Sequence, residues 1–398
     1  MISTAANASL ANPPRRIASL DLLKGIVIVI MALDHTRDYF HFSSWFFSPT
    51  DIDKTTVPIF FLRWVTHFCA PVFSFLAGVS AFLVGRSMTL NELSRFLITR
   101  GLWLVLMQLT FVNFAWTFDI KFRYNELAVI WSLGVSMIFL AALIHINLKV
   151  VLAFSLLLIF GHNLLDNVHY DSFFWQLLHE SLPKVYPNGY ILFLVYPLIP
   201  WVGIMALGYI GGKFLYAKEV EAKVRIKKLL YIGSGALLLF LIMRMVNVYG
   251  DPLPWKTYQD FSKTILSFLN TNKYPPSLLF SLMTLGPAFI FLAFSEKVSG
   301  PFVRFFSVFG RVPFFFYIIH LYVIHLGAVI AAAVTGFGTD MIVLTDWVSE
   351  VDSLRGFGFS LVQVVLIWLG IILLMYPLCR SFDRYKMANK NKRWLSYL

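Results

Sequence analysis

Charge is scarce in this chain. Asp, Glu, Lys and Arg make up 14% of its 398 residues, 58% are hydrophobic, 17% are aromatic and the mean hydropathy is +0.73. Soluble domains carry ~25% charged and ~45–50% apolar residues, so an ordinary soluble globular protein is excluded and a polytopic membrane protein is implied. Cysteine is also nearly missing. Cys69 and Cys379 both fall within or at the end of apolar runs, which supports neither a disulfide framework nor a zinc site; they are expected as packing residues, and no metal is expected. Nucleotide motifs are lacking too. Gly208-Tyr-Ile-Gly211-Gly212-Lys213 has neither the spacing nor the Ser or Thr of a phosphate loop, Gly336-Phe-Gly338 is too short for a dinucleotide fingerprint, and no Gly-x-Ser-x-Gly elbow occurs. No repeat of fixed period is visible. The formal charge of +12 has no nucleic-acid-type spacing, and in a membrane chain basic residues first mark the cytoplasmic side. The first fourteen residues are polar and small, with no A-x-A-like cleavage site after the apolar run that follows, so a retained first span is expected rather than a removed signal.

What is present is a series of apolar runs long enough to cross ~30 Å of hydrocarbon. Ten spans are expected, at 18–38, 60–84, 96–117, 127–146, 148–165, 190–215, 229–249, 276–295, 312–334 and 357–379. With the N-terminus inside, roughly 22 of the 33 Lys and Arg fall in cytoplasmic segments and about 15 of the 21 acids on the other side. Both termini are then cytoplasmic, with 1–16 as an N-terminal segment and 380–398 as a basic tail. The fold class is an all-α polytopic membrane protein, read as one membrane domain over 1–398. The longer outward loops, His41 to Thr56, Asp166 to Gly189 and Tyr249 to Tyr274, are rich in aromatics. Such residues suit a sugar-like ligand, but they also form the usual interfacial belt, which is the favoured reading.

Ionisable groups inside apolar spans are costly and mark function by default. The first span carries Asp21, Lys24, Asp34 and His35, and leaves the membrane through Arg37 and Asp38. Lys24 and His35 are eleven residues apart, so on a helix they share a face ~16 Å apart. The second span carries Arg63 and His67 at i and i+4, and the ninth carries Tyr317, His320 and His325. Counted at ~1.5 Å per residue, His35, His67 and His325 come out in the outer half of the membrane and His320 near its midplane, so three helices are expected to turn imidazoles toward one cavity. Histidine is the natural general base at neutral pH, and Asp34 or Asp38 is placed to orient or polarise it. The bland alternatives are an intrahelical Asp21–Lys24 pair and histidines that merely bond neighbouring helices.

Four stretches carry a resemblance. Arg16-Ile-Ala-Ser-Leu-Asp21-Leu-Leu-Lys24-Gly25, Met31-Ala-Leu-Asp34-His35-Thr-Arg37-Asp38-Tyr39-Phe40, Thr66-His67-Phe-Cys-Ala-Pro71-Val-Phe73 and Gly310-Arg311-Val-Pro313-Phe-Phe-Phe-Tyr317-Ile-Ile-His320 resemble bacterial relatives of heparan-α-glucosaminide N-acetyltransferase. The resemblance implies a transmembrane acyltransferase of a bacterial inner membrane that takes acetyl-CoA from the cytoplasmic side and acylates an amino sugar or other carbohydrate-like acceptor on the far side. The wider superfamily carries a basic residue, ten others, then a His taken as the base; Lys24 and His35 match that spacing, with Lys in place of Arg. Lysosomal relatives have Asn where His35 stands, and place their proposed catalytic His in the loop after the first span, before Trp-Asn-Gly. This loop offers only His41-Phe-Ser-Ser-Trp45, so the catalytic group expected is His35 with Asp34 and His67. Lys24, Arg16, Arg86, Arg100 and Arg311 are expected on the CoA phosphates, and Asp38, Arg37, Arg63, Tyr317 and His320 around the acceptor or cavity. The alternative from another class is a proton-coupled secondary transporter, since Asp-His-Arg clusters in helical bundles also relay protons. The lipid bilayer is the expected surrounding, nucleic acid is not an expected partner, and a homodimer is left open.

Overall fold

The structure is a computed structural model that describes residues 17–389, 391–392 and 394–395; Arg16 of the expected donor site and Lys390 and Arg393 of the tail lie outside them. Fifteen helices follow in order among the described residues: α1 (Ala18–Phe40), α2 (Val57–Thr66), α3 (Cys69–Gly85), α4 (Leu90–Met107), α5 (Asn113–Thr117), α6 (Val129–Leu143), α7 (Leu148–Gly161), α8 (Phe173–Leu178), α9 (Leu198–Tyr216), α10 (Ala222–Val246), α11 (Phe261–Leu269), α12 (Leu278–Ser295), α13 (Pro301–Arg311), α14 (Pro313–Val334) and α15 (Leu361–Ala388). The strands β1 (Tyr124–Glu126), β2 (Pro183–Val185) and β3 (Ile191–Phe193) form one small sheet in the order β1-β3-β2, parallel between β1 and β3 and antiparallel between β2 and β3. The fold is all-α and polytopic. Eight helical stretches among the described residues are long and apolar enough to cross a membrane.

The first helix is rich in charge for a long helix and largely enclosed by protein. It carries Asp21, Lys24, Asp34, Arg37 and Asp38 within 23 residues, and lies against α2, α3, α12, α13, α14 and α15. Such charges are expensive against lipid, so surrounding α1 with protein is what makes its sequence tolerable. Neighbours hold it through its own carbonyls: Cys69 Sγ donates to the Val27 carbonyl at 3.0 Å, and Trp368 Nε1 to that of Val29 at 2.9 Å. At Gly25 and Gly310 the backbones of α1 and α13 touch. A Cβ on Gly25 would lie 1.8 Å from the Phe306 carbonyl oxygen, and one on Gly310 1.8 Å from that of Asp21.

Two expected spans differ in form. The stretch 60–84 is two helices with a break at His67–Phe68. Pro71 lacks the N–H that would bond His67, and its ring crowds the carbonyl four residues back, so the helix ends there and restarts at Cys69. The stretch 190–215 becomes helical only at Leu198, because Ile191–Phe193 pairs with both other strands. Elsewhere the expected boundaries fall close to helix ends, although α4 already starts at Leu90 and α10 at Ala222, ahead of the expected 96 and 229, and α15 continues through Arg380 and Lys386. Its end meets Arg311: Asp383 Oδ2 accepts from Nε at 2.8 Å and lies 2.7 Å from an Nη. The end of α15 and the start of α1 therefore share one end of the bundle, the basic end. At the opposite end Arg244 of α10 is buried and donates to the carbonyls of Leu253, Ser267, Phe268 and Asn270 at 2.7–3.0 Å, fixing the loop that contains α11.

Candidate active site

A cavity of about 930 Å³ runs beside α1. Asp21, Lys24, Ile28, Met31, His35 and Asp38 all line it. Their spacing of three or four residues makes a single stripe along the helix, charged at both ends and apolar between, and ~26 Å long by helical rise. The facing walls come from α3, α4, α6 and α14, through Phe73, Ala77, Arg100, Leu104, Met137 and Tyr317. Ala77, Ser80 and Ala81 are small, which leaves room for the cavity between α3 and α1.

At the basic end the lining includes Lys24, Arg100, Arg311 and Lys386 against Asp21. Lys24 Nζ donates to Ser80 Oγ at 2.9 Å. Arg86, expected here as well, is elsewhere: its guanidinium reaches the Tyr216 carbonyl at 3.4 Å and it is not on the cavity wall.

At the other end, Asp34 is buried and its carboxylate is taken by two guanidinium groups. Arg63 donates to one oxygen, Arg37 lies 3.4 Å from the other, and Arg37 also donates to Asp38. Both carboxylates thus meet arginines, where the sequence leads one to expect Asp34 or Asp38 on the imidazole of His35. The partner of His35 is a second histidine. His35 Nδ1 lies 2.9 Å from His320 Nε2, with the rings stacked, and His320 Nδ1 lies 2.9 Å from the Phe316 carbonyl. A carbonyl only accepts, so His320 Nδ1 carries a proton. Neutral His320 then offers a lone pair at Nε2, and His35 must donate to it from Nδ1. The geometry thus fixes the tautomer of His35 and leaves Nε2 as its basic nitrogen. Trp116, edge-on with its ring centre at 4.9 Å, and Tyr317 at 6.3 Å hold the His35 ring.

The expected meeting of imidazoles is therefore half realised. His67 sits at the helix break against Phe280, with ring centres 5.3 Å apart, off the cavity wall and with Nδ1 buried and unpartnered among the described residues. His325 is held between the carbonyls of Ala115 and Met341, each at 2.9 Å. His41 is buried and its Nδ1 accepts from the Ser43 backbone at 3.2 Å; burial, aided by Arg37, holds its imidazole down near 4. The loop it opens does reach the cavity, through Trp45, Phe46 and Phe47. Trp175 and Trp255 instead donate to the carbonyls of Val168 and Arg244, at 2.9 and 2.7 Å, and do not line it.

A family model, heparan-alpha-glucosaminide N-acetyltransferase, catalytic, matches residues 16–245. The chain belongs to this family. Comparison with curated proteins returns no match. The matched residues take in Lys24, His35, Arg63 and Arg100, while Arg311, Tyr317 and His320 lie beyond them. Family and fold together make the chain a multi-pass integral membrane protein of an acetyltransferase family.

Several lining residues were not foreseen: Lys386 at the basic end, and Glu126, Tyr196, Lys273 and Tyr274 at the other. Glu126 is the most informative. The segment Gln108–Val112 between α4 and α5 is a π-type turn, and it places Gln108 and Asn113 so that the first donates to the second at 2.9 Å and to the Glu126 carbonyl at 3.2 Å. Asn113 in turn accepts from the Glu126 N–H at 3.3 Å. The carboxyl held in this way accepts from the Tyr124 hydroxyl at 3.1 Å, and burial pushes it up to about 8. Between its ordinary value near 4.5 and about 8 the folded protein holds a proton that the unfolded chain releases. Folding stability must therefore fall as pH rises through that window, by an amount on the order of a few kcal/mol in full. The Glu126→Gln variant is expected to lose less thermal stability between those pH values than the parent, and parallel melting-temperature curves would remove Glu126 as the cause.

Proposed function

We propose that the protein transfers an acetyl group from acetyl-CoA to an amino-sugar or other carbohydrate-like acceptor, with His35 as general base. The observation that carries this reading is a single cavity lined by basic side chains at one end and, toward the other, by His35, whose ring is backed by His320 off the cavity wall. Lys24, Arg100, Arg311 and Lys386 suit the phosphates of the donor, with Arg311 held in orientation by Asp383. The basic end faces the cytoplasm by the positive-inside rule, in a bacterial inner membrane. The apolar middle of the cavity suits the pantetheine arm, which carries the thioester toward His35.

The acceptor enters from the opposite end, among Glu126, Lys273, Tyr274 and the Asp34–Arg63 cluster. Its nitrogen or hydroxyl oxygen attacks the thioester carbonyl carbon while His35 Nε2 takes the proton. Collapse of the tetrahedral intermediate breaks the C–S bond, and the proton held by His35 goes to the departing CoA thiolate. One base suffices for this direct route; a covalent acyl-histidine would require a second role for it.

The test is donor consumption by the purified protein in detergent, screened against amino sugars and hydroxyl sugars. Turnover with one acceptor class is expected. For Lys24→Ala, weaker acetyl-CoA binding is expected, with a KM raised about tenfold and a smaller loss of kcat. Unchanged donor affinity in that variant would remove Lys24 from the donor site. Absence of acetyl-CoA binding, together with solute uptake in proteoliposomes, would favour the transporter reading.

A further inference from the structure

Away from the acyl-transfer cavity, three residues of the metal-ligating type converge at the non-basic end. His162 follows the last turn of α7, Asp166 lies four residues on, and His179 directly follows α8. One ligand atom from each lies within 4.8 Å of the other two. His162 Nδ1 is 3.4 Å from His179 Nε2, and His179 Nε2 is 3.8 Å from Asp166 Oδ1. Two nitrogens each ~2.0–2.1 Å from a tetrahedral zinc ion lie roughly 3.3–3.4 Å apart, so the imidazoles already stand at the separation such an ion requires. The carboxylate stands farther off, 3.8 Å from His179 Nε2 and within 4.8 Å of the other ligand atom, and has to close toward both imidazoles.

The surroundings also resemble those of a metal site. Both histidines are buried. Asp166 Oδ2 accepts from Asn163 Nδ2 at 2.8 Å, and Asn163 Oδ1 accepts from the Leu278 N–H at 2.9 Å, so the carboxylate is oriented through a partner itself anchored to the start of α12. Second-shell support of this kind fixes the ligands of working metal sites. His179 stacks on Trp175, with ring centres 5.5 Å apart. A small cleft of about 220 Å³, lined by Asp166, His169, His179 and Glu180 among others, opens beside the cluster.

We propose that His162 Nδ1, His179 Nε2 and Asp166 bind one zinc-type divalent cation, with water from the adjacent cleft completing four-coordination. Two neutral imidazoles and one carboxylate favour zinc over calcium or magnesium, which prefer all-oxygen shells. The ion would clip the Asp166–Gly189 loop to the end of α7, and through Asn163 to α12, as a structural element outside the acyl-transfer chemistry. This departs from the expectation of no metal, and the spacing explains the omission: His162, Asp166 and His179 follow no compact ligand motif. In the structure His179 Nε2 also lies 3.0 Å from the His162 carbonyl, to which it donates when protonated, so ligation through Nε2 requires His179 to carry its proton on Nδ1.

The deciding experiment uses the full chain in detergent, purified on a tag without histidine. Elemental analysis is expected to find about one zinc per chain, removable by EDTA. Cobalt(II) added to the stripped protein is expected to give the intense visible bands of tetrahedral coordination, and zinc to raise its melting temperature. Asp166→Asn and His179→Ala should each lose the bands and the zinc-dependent rise. His179→Gln serves in place of the alanine variant if that one does not fold, since its amide can still donate to the His162 carbonyl. Folded parent protein that retains no zinc and gives no cobalt bands would overturn the proposal, as would bands that persist unchanged in the variants.

Discussion

Replacing His35 with alanine is expected to lower kcat for acetyl transfer about a hundred- to ten-thousand-fold, the usual worth of a positioned general base, and to leave acetyl-CoA affinity and the melting temperature close to those of the parent. The reasoning rests on the hydrogen-bond chain from Phe316 through His320 to His35, which leaves one basic nitrogen on a ring that lines the cavity. His320 is a positioning residue in this scheme. Its replacement by phenylalanine removes the acceptor for His35 Nδ1–H and frees the ring to take the other tautomer, so a smaller fall in kcat, with an altered pH profile, is expected. Unchanged turnover in His35→Ala would remove His35 as the base. Wild-type turnover and pH profile in His320→Phe would remove the tautomer argument while leaving His35 in place.

Much of the fold was legible because a membrane span writes itself into the sequence as length and hydropathy. Even α1, too charged for a simple hydropathy test, was recognisable from its long apolar centre. The stretch 190–197 differs from the expected helix because Ile191–Phe193 is an apolar run joined to a longer one, and composition does not tell a strand from the start of a span. At 60–84 the signal was present in Pro71, and the break falls where its missing N–H requires. The enclosure of α1 was not legible, because it depends on which helices pack around it, although Gly25 and Gly310 mark one of the closest crossings.

The site was legible along α1 and much less so elsewhere. The stripe Asp21, Lys24, Ile28, Met31, His35 and Asp38 can be read directly from a three-and-four spacing. Counting residues gives depth along a helix but not azimuth about the bundle axis. His67 and His35 could therefore be assigned similar levels, yet His67 turns toward Phe280, while His320, counted to a deeper level, reaches His35. Glu126 and Lys273 lie in segments between spans, where a charged residue is ordinary, and only the fold brings them to the cavity. Arg86 and Arg311 both lie at helix ends of the basic end; one turns to the Tyr216 carbonyl and the other to Asp383 beside the cavity.

The Asp34→Ala variant separates structural support from catalysis at the non-basic end, and its effect on stability is expected to be the largest of any single substitution in the cluster. Asp34 is buried, Arg63 donates to one of its oxygens, and Arg37 lies 3.4 Å from the other. Removing the carboxylate leaves Arg63 without its acid partner among the described residues and Arg37 with Asp38 alone. Breaking a buried pair in this way costs about 3–5 kcal/mol, mainly because an uncompensated charge stays buried. Removing Arg63 as well should return part of that cost, so Asp34→Ala with Arg63→Met is expected to melt above Asp34→Ala alone. If Asp34 instead served His35 directly, the single variant would lose kcat at nearly unchanged melting temperature, and the second substitution would restore nothing. Melting temperature and kcat measured on the parent, both single variants and the double variant therefore decide whether this carboxylate holds two arginines in place or takes part in the proton transfer.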